Sequence, residues 1–238
     1  MTEKPTAAAI RRALRELASP ERAIGVARFF KTGKGEYGEG DVFIGVTVPE
    51  ERQVARHFKA LPLAEADKLL TSRIHEERIT ALLILVAQFI ATDDERVRGR
   101  IFRLYMKRLP HINNWDLVDT SAADIVGRWL ADKDRSLLDE LAASKHLWTR
   151  RVAMIATFHY IKNGSADDAL RIAARLLDDE HDLIHKAVGW MLREVGKRVS
   201  ATKLRTFLKQ HAATMPRTAL RYAIERFQPD ERQRWLRL

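Results

Sequence analysis

The sequence predicts an all-α fold, a helical-repeat solenoid of the HEAT type. Three observations predict it. Apolar residues recur at helical spacing along nearly the whole chain. Gly and Pro are scarce and fall between those periodic segments. A short pattern, a base followed by small and large apolar residues, returns at Arg78, Arg151, Lys186 and Arg217. With the Trp115 segment between the first two, successive units lie about 30 to 40 residues apart, the spacing of helix-pair repeats.

Taken in order, helices are expected near Ala8 to Leu17, Pro20 to Thr32 and Pro49 to Leu61. Between the last two lies Gly33-Lys34-Gly35-Glu36-Tyr37-Gly38-Glu39-Gly40, a glycine-rich stretch read as a mobile loop. Arg78 to Ala91 carries a stripe of Ile79, Leu82, Leu83, Val86 and Ile90. Thr92 or Asp93 is expected to cap the next helix, Arg96 to Leu109, which Pro110 ends. Further helices are expected at Asp134 to Ser144, Leu147 to Lys162, Asp167 to Leu177, Leu183 to Lys197, Ala201 to Ala212 and Arg217 to Phe227. Stacked pairs bury a continuous core and curve. The repeated base near each helix start would then form a row of cations on the concave face.

At 238 residues with 46% hydrophobic content, the chain can build a core without staples, and a single domain over 1–238 is expected. It has no cysteine, which excludes disulfides and thiolate metal sites and fits a reducing, cytoplasmic setting. Met1 to Pro5 shows no apolar leader, and the run Ala81 to Ala87 is too short to span a bilayer. No membrane role is expected. The formal charge of +10 favours a polyanionic partner, nucleic acid first among them.

No phosphate-cradling loop, zinc-protease helix or serine elbow is present. His181 and His185 have metal spacing but no third ligand, so neither a metal nor a cofactor is expected. The informative stretch is Asn113-Asn114-Trp115-Asp116-Leu117-Val118-Asp119. It opens with a helix N-cap signal, and Trp115 and Asp119, four apart, share one helical face. Asp116, early in that helix, suits the helix dipole rather than catalysis. Trp148 and Trp190 sit on helices that carry the repeated base. Taken alone, each Trp reads as core, and the residues leave open whether Trp115 and Asp119 form a site.

Three segments in register resemble a family: Asn114 to Asp119, Leu147-Trp148-Thr149-Arg150-Arg151-Val152-Ala153, and His185 to Glu194 around Trp190. They look like the signature segments of the AlkD-like DNA alkylation repair glycosylases. Gly45-Val46-Thr47-Val48-Pro49-Glu50-Glu51-Arg52 resembles that family's early helix start, with Thr47 and Val48 replacing a more polar pair. The likeness runs from about Val26 to Phe227. It implies a C-shaped stack with a basic concave face that holds duplex DNA, and a monomeric, monofunctional glycosylase that excises cationic alkylpurines such as 7-methylguanine and 3-methyladenine. By motif it places the catalytic cleft on Trp115, Asp119 and Trp190, with Arg151 against a phosphate and Arg52 and Lys186 as further DNA contacts. The other class of function compatible with the residues is a non-catalytic helical-repeat module that binds damaged or branched DNA or a protein partner.

The chemistry agrees with the resemblance. An N-alkylated purine is already cationic and leaves without a strong general acid, so one carboxylate suffices where ordinary glycosidases use two. No lysine is placed as a Schiff-base nucleophile, so strand cleavage is not expected.

Overall fold

The computed structural model describes residues 5–238, and among them no strand forms. Helices α1 (Ala7–Glu16), α2 (Pro20–Phe29), α3 (Val48–His57), α4 (Leu63–Leu70), α5 (His75–Ala91), α6 (Glu95–Lys107) and α7 (Trp115–Ala122) make up the first half. The second half holds α8 (Ser136–Ala142), α9 (Leu147–Ala156), α10 (Phe158–Lys162), α11 (Asp167–Arg175), α12 (Asp182–Arg198), α13 (Ala201–His211), α14 (Arg217–Ala223) and α15 (Pro229–Leu236). The chain divides into two compact units that meet in sequence at Ser121 and Ala122. The all-α, helical-repeat expectation holds.

In the first unit α5 is the central helix, with α1, α3, α4 and α6 packed around it. Its buried residues run from His75 through Leu82, then Ile84, Leu85 and Phe89, while Leu83 and Val86 are half-buried and Ile90 is exposed. The expected stripe therefore included three residues that turn away from the core. The cause is that α5 is apolar on nearly all sides, so helical periodicity alone cannot choose its inner face. The caps show why the helices begin where they do. Thr6, Ser19 and Ser200 accept backbone N–H bonds at the starts of α1, α2 and α13. Asp94, rather than Thr92 or Asp93, caps α6 through the Arg96 and Val97 amides.

Two short helices lack the expected signals. Pro62 stands at the N-cap of α4, and α15 buries no residue. The glycine-rich stretch forms successive turns, where Glu36 and Glu39 accept from the Gly33 and Gly35 amides.

In the second unit α12 packs against α9, α11, α13 and α14. Gly189 lets α12 approach α14 closely: a Cβ there would stand 2.5 Å from the Ala219 carbonyl oxygen. The helix expected over Leu147 to Lys162 breaks at Thr157. Its buried hydroxyl donates to the Met154 carbonyl at 2.7 Å, and the chain restarts as α10. A π-helical turn, Ala123–Gly127, follows α7, and a Cβ at Gly127 would clash with the Ala156 carbonyl at 2.2 Å.

Candidate active site

In the first unit, α3, α5 and α7 enclose a cleft of about 670 Å³ lined by Arg52, Arg56, Lys59, Leu83, Val86 and Asp119, together with Ala55, Ala87 and Thr120. Arg52 and Arg56, four apart on α3, share one face, and Lys59 follows in the turn after the helix. All three are exposed, and none forms an ion pair with the described residues. The floor is apolar because Leu83 and Val86 are two of the α5 residues that turned outward. Asp119 enters from α7 and is half-buried. The structure thus brings Arg52 and Asp119 to one cleft. Arg56, Lys59 and the apolar floor were missed by sequence reasoning, although the basic spacing along α3 was readable.

The helix that carries Asp119 is fixed at its start. Asn114 caps it, its Oδ1 accepting from the Trp115 amide at 2.8 Å. Trp115 is half-buried and stacks on Phe30, with ring centroids 5.2 Å apart and planes 12° apart. Phe29 meets Trp115 edge-on at 5.9 Å. Phe30 therefore occupies one face of the indole, and Trp115 is not among the residues that line the Asp119 cleft.

Behind Trp115 lies a buried ionic cluster that the sequence reading did not anticipate. His75 is 2% exposed and bridges two carboxylates, Asp116 Oδ2 at 2.7 Å and Asp41 Oδ2 at 3.1 Å. Arg78 donates to the other Asp41 oxygen at 2.6 Å and to the Ser72 carbonyl at 2.8 Å. Burial alone would lower the His75 pKa, but Asp116 and Asp41 overcome it and raise it to about 9. Burial raises and the His75 and Arg78 contacts lower the Asp41 pKa, with a net fall. Glu51, packed nearby on α3, is pushed up to about 8, chiefly by burial, with Glu76 and Asp116 adding to it. Glu76 accepts from the Ile44 and Gly45 amides at 2.9 and 2.8 Å. The sequence signal was the run His75-Glu76-Glu77-Arg78, four polar residues opening an apolar helix.

In the second unit, Arg151 lies on α9, and Lys186 and Trp190 lie one turn apart on α12. Trp190 is half-buried beside Phe158, with centroids 5.9 Å apart. Lys186 pairs with Asp182 at 2.7 Å. Arg151 is 4% exposed and donates to the Leu183 carbonyl.

The expected row of repeated bases takes a different form. Arg78 and Arg151 are buried and bind backbone carbonyls, and Arg217 donates to the carbonyl of Leu236. Arg78 reaches the turn before its own helix, whereas Arg151 and Arg217 reach carbonyls 32 and 19 residues away on neighbouring segments. These bases clamp segments together. The exposed cations of the candidate site sit on α3 and the turn after it instead. His181 and His185 are likewise used locally: His181 caps α12 through the Leu183 amide, and His185 meets the Asp179 carbonyl.

The family model described as "DNA alkylation repair enzyme" matches residues 10–227. Among solved structures, a predicted DNA alkylation repair enzyme from Enterococcus faecalis superposes with a TM-score of 0.69 at 20% identity, over 89% of this chain and 97% of that one. At that identity the likeness speaks for the fold. No match is found among curated proteins. Among the described residues no helix is long and apolar enough to cross a membrane. With nearly its whole length matched, the chain belongs to the DNA alkylation repair enzyme family.

Proposed function

We propose that the protein is a monofunctional DNA glycosylase that hydrolyses the N-glycosidic bond of cationic alkylated purines, such as 7-methylguanine and 3-methyladenine, in duplex DNA. The observation that carries this reading is Asp119 on the wall of an apolar-floored cleft whose rim holds Arg52, Arg56 and Lys59. A strand of DNA needs cations for its phosphates, and its broken glycosidic bond needs one anion for the sugar. Both stand on this cleft.

In the reaction the C1′–N bond breaks, and its electron pair leaves with the purine and neutralises the base. Positive charge develops on the deoxyribose. Asp119 answers that charge and orients a water that adds to C1′, taking up the proton the water releases. A carboxylate about 4 Å from unit charge, at an effective dielectric near 20, contributes up to about 4 kcal/mol. That corresponds to about a thousandfold in rate. The outer face of Trp115 adds about 0.5 to 2 kcal/mol of cation–π attraction for a charged base. Selection then rests on the charge of the lesion. Arg52, Arg56 and Lys59 hold backbone phosphates, Lys186 is a further DNA contact, and Trp190 keeps the catalytic role that the resemblance gives it. Arg151, bonded to Leu183, contributes by holding the start of α12.

The test is Asp119→Asn on methylated duplex DNA. The wild type should release 7-methylguanine, and the variant should bind the duplex with little change but release base at least a hundredfold more slowly. A wild type that binds duplex and releases nothing would leave the non-catalytic DNA-binding module as the function.

A further inference from the structure

We propose that His75 is a positioning residue for this reaction: it locks the first turn of α7, and with it Trp115 and Asp119, by bridging Asp41 to Asp116 and by seating Phe30 under the indole. The inference rests on the glycosylase reading for its catalytic consequence, but the lock itself is geometric.

Two independent paths run from His75 to α7. The first is ionic. His75 Nε2 reaches Asp116 at 2.7 Å, and Nδ1 reaches Asp41 at 3.1 Å. Asp41 is also held by Arg78 at 2.6 Å and by Asn114 at 3.2 Å, so the cap of α7 and the histidine share one carboxylate. The second path is aromatic. The His75 ring stacks on Phe43 at 4.5 Å and contacts Phe30 at 5.1 Å. Phe30 in turn stacks on Trp115. Both ring nitrogens face carboxylate oxygens, which with the two phenyl neighbours favours the imidazolium, against the Arg78 guanidinium 3.4 Å from Nδ1.

The lock has a reason to exist. Asp119 lies three residues after Asp116, in the second turn of a helix that runs on through the π-helical turn at Ala123–Gly127. The groups that hold its first turn therefore lie one turn from the Asp119 carboxylate and help to set its orientation. A displacement of about 1 Å at a reacting group can cost on the order of a hundredfold in rate.

The charged and titratable groups around His75 come from every element packed on it. Asp41 comes from the loop before α3, Glu51 and Arg52 from α3, Glu76 and Arg78 from α5, and Asp116 from α7. At neutral pH the imidazolium is present and Glu51 holds its proton. As pH rises through about 9 the imidazolium loses its proton, and the bridge loses its charge. The folded value lies above the ordinary 6.5, so the bridge is complete below that pH and is lost on the alkaline side.

The experiment uses the full chain with two readouts. The first is the ¹⁵N resonances of the His75 ring, assigned by difference from His75→Gln. Both nitrogens should carry protons at pH 7.5 and titrate near pH 9; a neutral ring at pH 7 overturns the bridge whatever the activity. The second compares Asp116→Asn with wild type in single-turnover release of 7-methylguanine across pH 6 to 10, with duplex affinity and amide exchange at residues 115–119 measured alongside. The variant should release base about tenfold or more slowly with affinity within twofold. Its alkaline limb should move to lower pH, and its α7 amides should exchange faster. Wild-type release, limb and exchange in the variant would sink the proposal. A wild type that releases no base defeats the glycosylase reading alone, because ring protonation and α7 exchange still judge the lock.

Discussion

The carboxamide of Asn114 donates to Asp41 at 3.2 Å, joining residues 73 positions apart in the buried centre of the first unit. Its other end accepts from the Trp115 amide, so one side chain caps α7 and ties that helix to the loop before α3. Replacing it removes a cap and leaves a buried carboxylate one partner short. Asn114→Ala should cost about 1–3 kcal/mol of folding free energy. The check is urea denaturation followed by far-UV circular dichroism, and an unchanged midpoint would count against the link.

Glu51 makes the stability of the protein pH-dependent in a defined window. It is 4% exposed and its Oε2 has no hydrogen-bond partner among the described residues. Burial raises its pKa from 4.5 to about 8. Between those values the unfolded chain ionises while the folded chain keeps its proton, so Glu51 costs stability progressively as pH rises from about 4.5 to about 8. Glu51→Gln cannot titrate. Relative to wild type it should gain stability from pH 5 to pH 8, read as a widening gap between urea midpoints. A gap that stays constant with pH would show that Glu51 ionises as it does in the unfolded chain.

The three cations of α3 and the turn after it predict a salt effect. If Arg52, Arg56 and Lys59 each neutralise one phosphate, replacing all three with alanine should reduce the slope of log affinity against log salt by about 2.7 for duplex DNA. Fluorescence anisotropy at several salt concentrations measures it. These side chains are exposed and support no other described residue through an ion pair, so the variant should keep its thermal midpoint within a few degrees. An unaltered slope would remove α3 from the DNA-binding surface.

Some of the site was readable from the residues in order. The cap at Asn114, the shared face of Trp115 and Asp119, and the helix carrying Lys186 and Trp190 all follow from local chemistry, which depends on residues three or four apart. The resemblance added a proposed role for Asp119 that spacing could not supply. Other parts escaped because they depend on distant partners. Asp116 reads locally as a first-turn acid near the helix dipole, yet its oxygen meets a histidine 41 positions away. The repeated base reads as a surface cation, yet at Arg78 and Arg151 it is buried against carbonyls. Local pattern states that a base is present and leaves open which group it meets.

The sequence by itself determined that this chain is helical, basic and free of cysteine, and where most helices start and stop. Those properties follow from composition and from hydrogen bonds that close within one turn. Tertiary structure decided which face of α5 is core and which is cleft floor. It also decided which cations remain exposed, and that a buried histidine grips the helix bearing Asp119. The physical reason is that burial and electrostatics are set by whatever packs alongside, and in α5 and α7 the neighbours that matter lie tens of residues away in the chain.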